Sequence, residues 1–555
     1  MSTFNIIQDN AVLLLISGLL YVLVGASPMH AADHPNSKRR ILFNSDGGNA
    51  LCEFWINWPD KQRRFRVEEI DAAGMKAIAE DSIDEMAEAG VNTFSSVVWY
   101  AFKASGWIVK NSAEDMTDCR TRDGLGYLPL YKAGYDAVQI MIDRCHRNGM
   151  NFLGCFRMND RHRHGDASGL FILNNPQWQM KGAAGGPGMN FAYEPVREKL
   201  FAYVEDLVTS YPDIDGVEYD YMRWCHMFEP GEGKQNAHLL TEFMRKTRRL
   251  LDRVEGVRER RIVGVRVAQT MEECEYLGFD VATWMKEDLV DWVVPSDFHY
   301  TDLNTRVEDF VKLAEGTDCK IYPAIHPVIC RGDDTRVMSL ANYRAAAQNF
   351  YAHGAHGIQT YNYQYHWGRR QDTHRPEQWD AYMWPTALGY LRKLADPQNI
   401  AQNNRHYRFF RLWPKANTGA IKDHRIKLDR AKKNPWGSQH FRMAEDLSNP
   451  RLRASIQFKA VGMGLDENLE IQLNGRAVPA RMIRHLFDED GQNKWQGRVL
   501  DPFYLYVINL DRGSPQPLII NGDNELTVRL IPTEEQTDGL ITIDELEVYV
   551  YVTGQ

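Results

Sequence analysis

The stretch Asp215-Gly216-Val217-Glu218-Tyr219-Asp220-Tyr221-Met222-Arg223-Trp224 decides the fold. Successive side chains on a strand point to opposite faces, so Gly216, Glu218 and Asp220 share one face and Val217, Tyr219 and Tyr221 the other. Acid on one face and apolar bulk on the other describes a strand that lines a barrel lumen, with helices packed outside.

Working outward, the chain from Arg40 to about Asp396 repeats one phrase eight times. A short apolar run ends in polar residues, an amphipathic helix follows, and a Gly or Pro stops it. The predicted strands are Ile41 to Asp46, Asn92 to Trp99, Asn151 to Asp160, Gly216 to Trp224, Ile262 to Gln269, Trp292 to His299, Ile321 to His326 and Gly357 to Tyr363. Predicted helices between them include Ile78 to Ala89, Asp136 to Arg147, Pro195 to Ser210, Leu239 to Val254, Val281 to Glu287, Arg306 to Ala314 and Leu340 to His353. Eight alternating units imply an α/β fold of the (β/α)8 TIM barrel type. An open doubly wound sheet is the competing topology, and no Gly-rich dinucleotide fingerprint follows the first strand to support it.

After Asp396-Pro397 the grammar changes to strands and turns: Arg425 to Arg430, Leu452 to Val461, Leu469 to Asn474, Tyr504 to Leu510, Asn524 to Ile531 and Ile541 to Val550. These predict an all-β, jelly-roll-like sandwich, with Asn474-Gly475 as a hairpin turn. Expected boundaries are 1–32 for a signal peptide or N-terminal anchor, 38–400 for the barrel and 401–555 for the sandwich. The sandwich is read either as a sugar-binding module or as a stabilising cap.

A chain of 555 residues exceeds one ordinary core, and its net charge of −9 with no basic tail argues against nucleic acid or an anionic membrane surface as the main partner. The apolar run Ala11 to Ala26, followed by Ser27-Pro28-Met29-His30-Ala31-Ala32, reads as an export signal, although the first Lys or Arg is Lys38. A secreted, periplasmic or cell-surface location is expected, with an uncleaved anchor as the alternative. The eight cysteines show no CxxC or other close metal spacing. Scattered over predicted elements, they fit buried free thiols as well as disulfides.

In eight-stranded barrels reacting groups sit at the carboxyl ends of the strands. The polar residues expected there are Asn44 and Asp46, Trp99, Arg157 with Asn159 and Asp160, Glu218 with Asp220 and Arg223, Arg266, Asp297 with His299, His326, Gln359 and Tyr361 with Asn362. Strand parity turns Arg157 and Arg266 inward on the third and fifth strands, where they would flank Glu218 and hold it ionised, a structural more than a catalytic role. Asp220 stands one layer nearer the mouth. Aromatic residues such as Trp107, Trp224, Tyr363, Tyr365 and Trp367 are candidates for stacking on a ligand or for packing. Asp160-Arg161-His162-Arg163-His164 offers metal-ligand types, but the interleaved arginines repel a cation and a binding loop is the preferred reading. No cofactor, metal or protein partner is expected.

At these residues the chain resembles the bacterial glycosyl-hydrolase-like, family 10-like barrel proteins, whose fourth strand typically reads DGIHLDYIRY where this chain has DGVEYDYMRW. Leu277-Gly278-Phe279-Asp280-Val281-Ala282-Thr283-Trp284 and the following Asp288-Leu289-Val290-Asp291 are similar to the LGLDVxxW and GLVD phrases of the same group. The resemblance covers the central half of the barrel. It implies a carbohydrate-active barrel centred on Asp220, and Glu218 departs from it, standing where that group often has histidine. Against the chitinase pattern DGxDxDxE, Met222 occupies the proton donor's position, which argues against that chemistry.

Glycoside hydrolysis uses two carboxyl groups, one as nucleophile or base and one as proton donor. Asp220 is expected to be the first. Asp297, in Pro295-Ser296-Asp297-Phe298-His299 and turned inward by parity with His299, is preferred as the second over Glu272 or Glu273, with a helix N-cap or an ion pair with a loop arginine as its ordinary alternative. Arg161, Arg163, Arg223 and Arg331 suggest an anionic polysaccharide or oligosaccharide substrate. A carbohydrate-binding protein without turnover is the competing class.

Overall fold

The computed structural model describes residues 40–45, 71–100, 103–104, 130, 132–160, 170–182, 188–256, 259–327, 338–363, 388–410, 412, 418, 423–488, 502–531, 533 and 538–553. Eight parallel strands form the first part: β1 Arg40–Ser45, β2 Thr93–Tyr100, β3 Asn151–Arg157, β4 Gly216–Asp220, β5 Ile262–Val267, β6 Trp292–Pro295, β7 in two halves, Lys320–Ile321 and Ala324–Ile325, and β8 Gly357–Tyr361. Each pairs with the next, and β8 pairs back onto β1. Pro323, which has no N–H to donate, interrupts β7. Its first half pairs with β6 and its second with β8, while Tyr322 N donates to Val293 O and Pro323 O accepts from Gln359 N, so the ring closes through one split strand. The (β/α)8 expectation holds and the open sheet does not.

Helices α1 Ala72–Glu88, α2 Ala137–Arg147, α3 Glu194–Ser210, α4 Gly233–Arg253, α5 Met271–Leu277, α6 Val281–Lys286, α7 Val307–Ala314 and α8 Leu340–Ala352 return the chain between strands, followed by α9 Leu388–Leu394 and α10 Pro397–Ala401. The outward strand residues Val217, Tyr219, Tyr221, Val263, Val265 and Val267 join the helices in the main core. The lumen has its own apolar floor of Leu42, Leu153, Trp292, Val294, Tyr322 and Ala324. Gly264 makes room for it: a Cβ there would lie 2.1 Å from Trp292 Nε1.

The second part is antiparallel throughout. One sheet runs β9 Arg405–Phe409, β18 Leu540–Val552, β12 Leu452–Val461, β16 Phe503–Asn509, β15 Ile483–Asp488, with β10 Ile426–Asp429 also on β18. The other runs β11 Trp436–Met443, β17 Gly522–Ile531, β13 Asn468–Leu473, β14 Arg476–Ala477. Phe409 and Phe441 meet between the sheets at 5.3 Å. The expected hairpin is present: Leu473 pairs with Arg476 around Asn474 and Gly475, whose φ values of 52° and 72° belong to a two-residue turn of type I′.

The five described cysteines, Cys145, Cys155, Cys225, Cys274 and Cys319, are buried free thiols. No described helix is long and apolar enough to cross a membrane, and the run Ala11 to Ala26 lies outside the described residues.

Candidate active site

Above its apolar floor the lumen turns polar in two layers. In the lower one Glu218, fully buried, accepts from Asn44 Nδ2 and Gln359 Nε2, each at 2.5 Å. This corrects the expectation of two flanking guanidiniums: amides hold Glu218, and Arg266 belongs to Asp220. Burial pushes the Glu218 carboxyl up to about 7, the neighbouring Asp220 charge adds to the rise, and the two amides and Arg266 oppose it. The group therefore titrates near neutrality.

In the upper layer Asp220 closes β4. Its Oδ1 accepts from the backbone N–H of Met222 at 3.0 Å and of Arg223 at 2.9 Å, so the carboxylate caps its own following turn. Arg266 Nε also donates to Oδ1 at 2.8 Å, while Tyr361 Oη donates to Oδ2 at 2.8 Å. The Arg266 guanidinium lies 3.7 Å from the centre of the Tyr361 ring. Register explains the pairing, since Asp220 faces Arg266 directly across β4 and β5 and Arg157 across β3 and β4. Arg157 itself points to Asp160, Nη1 to Oδ2 at 3.4 Å, and Arg223 Nε lies 4.0 Å from the same Asp160 oxygen.

Arg266 Nη1 reaches onward to Ser296 Oγ at 2.9 Å and to the Asp297 carbonyl at 3.1 Å. Ser296, not Asp297, is the inward residue at the end of β6. Trp292 and Val294 face the lumen, and the same alternation selects Ser296; reading parity from those two residues would have found it. Asp297 follows the strand and does not have the inward parity expected of it; its Oδ1 accepts from the N–H groups of His299 at 3.0 Å and Tyr300 at 3.1 Å, which caps a bend and not a helix, since the next helix starts at Val307. His326, inward on β7, places Nε2 3.2 Å from Ser296 Oγ and its ring 5.1 Å from Tyr361. Burial, with Arg266 and Arg223 nearby, holds the His326 imidazole well below its usual range, so it is neutral at physiological pH.

The remaining expected residues divide. Gln359 and Tyr361 face inward as expected, and His299 stands at the rim with its ring 6.3 Å from that of His326. Asn159 is a clamp: it donates to the carbonyls of Met189 and His226 and accepts from Met189 N. Trp99 is not in the lumen. The β2 to β3 register slips between Val97 and Trp99, and this bulge turns Trp99 outward against Tyr203, 4.1 Å between ring centres. Glu272 is exposed in the first turn of α5, whereas buried Glu273 accepts from Thr270 and from Thr418, which lies between β9 and β10, and so ties the barrel to the sandwich. Asp46, Trp107, Arg161, His162, Arg163, His164, Arg331, Tyr365 and Trp367 lie outside the described residues. No cluster of metal-ligand side chains occurs among the described residues.

The loop leaving β4 is strained where it meets the site. Trp224 adopts a left-handed backbone with φ 66°, a conformation that a bulky residue takes only when its surroundings impose it. Its ring packs edge-on against Phe298 at 5.5 Å, which joins the loops after β4 and β6.

No protein-family model matches the chain, and no curated protein matches it. Among solved structures, it is similar to an α-L-fucosidase from Vibrio sp. strain EJY3, at 11% identity and a TM-score of 0.37, over 92% of this chain and 96% of that one. A maltogenic α-amylase from Thermotoga neapolitana gives 9% and 0.35, over 93% and 99%. A Paenibacillus cycloisomaltooligosaccharide glucanotransferase gives 10% and 0.33 over 92% of this chain, which spans only 57% of that protein's length. Likenesses this weak bear on neither fold nor chemistry, which rest on the strand pairing and side chains above.

Proposed function

We propose that the protein is an exported glycoside hydrolase acting on a polysaccharide or oligosaccharide, with Asp220 as nucleophile or base. The observation that carries this reading is the carboxylate of Asp220 at the carboxyl end of β4, inside a closed barrel, in direct contact with Arg266 and Tyr361. Three donors engage Oδ1, so Oδ2 is the reacting oxygen and the Tyr361 phenol orients it. In a retaining sequence Oδ2 forms a bond to the anomeric carbon while the glycosidic bond breaks and the departing oxygen takes a proton. In an inverting one it accepts a proton from the attacking water. Asp297, across Arg266 from Asp220, is the proposed donor. Arg157, Arg223 and His326 would hold the sugar hydroxyls.

A second reading is a carbohydrate-binding protein without turnover. It is favoured by the two backbone amides on Asp297 Oδ1, which stabilise the charged carboxylate and oppose proton donation. Asp220→Asn separates the two. A hydrolase variant loses at least a thousandfold in turnover on the best substrate from a screen of neutral and anionic glycans, yet still binds it. Undiminished turnover in the variant would remove Asp220 from the chemistry. A wild type that binds glycans and cleaves none establishes the second reading.

A further inference from the structure

We infer that the sandwich carries a second binding site, for an anionic glycan, on the outer face of its larger sheet. A cleft of about 470 Å³ there is lined by Arg453, Arg481, Arg484 and Arg512 together with Asn509 and Asp511. Strand alternation builds it. On β12 the side chains of Leu452 and Ala454 go into the core and Arg453 faces out; Ile483 of β15 is in register with buried Ile508 of β16, so Arg484, the next residue, faces out and is exposed. β12, β16 and β15 are adjacent, so Arg453 and Arg484 stand on either side of the β16 strand.

Four guanidiniums face one carboxylate, in a protein whose net charge is −9. Asp511 is spent on Arg481, Nη2 to Oδ2 at 3.0 Å, and Arg512 donates to the Pro450 carbonyl. The side chains of Arg453 and Arg484 have neither a hydrogen bond nor an ion pair among the described residues. An arginine fork without a carboxylate of its own suits bidentate capture of a carboxylate or a sulfate. Beside them lies the apolar surface that a sugar ring needs. Arg453 is in register with Tyr551, which is 42% exposed, and Tyr551 lies nearly parallel to Tyr549, 8° between planes and 6.3 Å between centres.

A second cleft of about 250 Å³ shares Met482, Leu510 and Asp511 with the first and runs inward to Leu452 and Ala454. Nucleic acid fits less well, because its phosphates call for a basic stripe along an extended surface and here the arginines are confined to one cleft. The inference does not depend on the chemistry proposed for Asp220.

Calorimetric titration of the full-length protein tests the site, with polygalacturonate as the carboxylate probe, dextran sulfate as the sulfate probe and dextran as the neutral control. Binding of at least one anionic probe, weakened by salt, with dextran at least tenfold weaker, is expected. Arg453→Ala combined with Arg484→Ala should reduce that binding at least tenfold. The paired lysine variant, which keeps charge and loses the fork, should fall between. Both arginines are exposed, and an unchanged near-UV spectrum and melting temperature verify folding. Equal binding of dextran, unaltered binding by the double alanine variant, or tighter binding of a single-stranded oligonucleotide than of either glycan would each overturn the proposal.

Discussion

At the scale of single residues, two carboxyls that occupy consecutive inward positions of one strand have opposite electrostatic settings. Asp220 touches a guanidinium; Glu218 touches only amides and has Asp220's charge above it. With its carboxyl raised to about 7 from 4.5, Glu218 is still protonated in the native state when the unfolded chain has released its proton. Between those two pH values the unfolded state binds fewer protons, so this group's contribution to stability falls as pH rises, by about 3 kcal/mol in all. Below pH 4.5 the contribution is intact. Glu218→Gln keeps the shape and cannot ionise, so the variant should gain on the wild type by about that amount between pH 4.5 and pH 8, read from denaturant midpoints. Parallel stability curves for the two proteins would show that Glu218 does not titrate in this range. The buried carbonyls of Asn44 and Gln359 make no hydrogen bond in the structure, so rotation of either amide supplies an acceptor for the protonated form.

At the scale of elements, the barrel was legible because its strands are apolar on the helix side and its helices follow at a fixed interval, and all eight strand starts lie within a residue of the expected position. What the pattern did not show is that β7 is split by Pro323. Several sandwich strands were not foreseen. Arg405–Phe409 and Trp436–Met443 show no apolar alternation, because charged and polar side chains occupy buried positions and are satisfied there: Arg405 pairs with Glu445 at 2.6 Å, and Gln439 donates to the Phe409 carbonyl; Ile483–Asp488 shows none because Arg484, His485, Leu486 and Phe487 are all exposed. Within the site, parity found Asp220 and Arg266, and position at the strand ends found His326 and Tyr361. Parity failed for Asp297, which follows inward Ser296; the strand-end rule failed for Trp99, where a bulge resets the alternation; and the partners of Glu218, Asn44 and Gln359, come from across the lumen and depend on strand tilt. One position tests how the elements fix one another. Gly264→Ala on β5 drives a methyl into the Trp292 indole, which is held edge-on by Tyr322 at 5.9 Å and cannot retreat. It should cost about 1 to 3 kcal/mol. Trp292→Leu in the same chain should recover part of that loss, and strict additivity of the two substitutions would show that no clash exists.

At the scale of the molecule, the sandwich is bolted to the barrel by polar groups that leave water at the junction. Asn349 of α8, 2% exposed, donates to the carbonyls of Leu303 in the barrel and Arg442 in the sandwich. Arg442 in turn pairs with Glu308 of α7 at 2.8 Å and with Asp523 at 2.6 Å, and its backbone N–H donates to Asn304. Asn342 of α8 reaches the His406 carbonyl of β9 at 2.8 Å, and Thr418 donates to Glu273. Groups buried in this way are satisfied only while both parts are folded and docked, so separating the parts exposes them unpaired. The two parts should therefore melt as one unit, with a single calorimetric endotherm and a van't Hoff enthalpy equal to the measured one. Arg442→Ala removes the central bolt. Discounted for the exposure of Asp523, it should cost about 1 to 3 kcal/mol and separate the endotherm into two, with the smaller part melting first. Two endotherms already present in the wild type would mean that barrel and sandwich are independent. In that case the arginine cleft would hold no fixed position relative to the mouth containing Asp220, and an acidic chain bound in one could not be presented in register to the other.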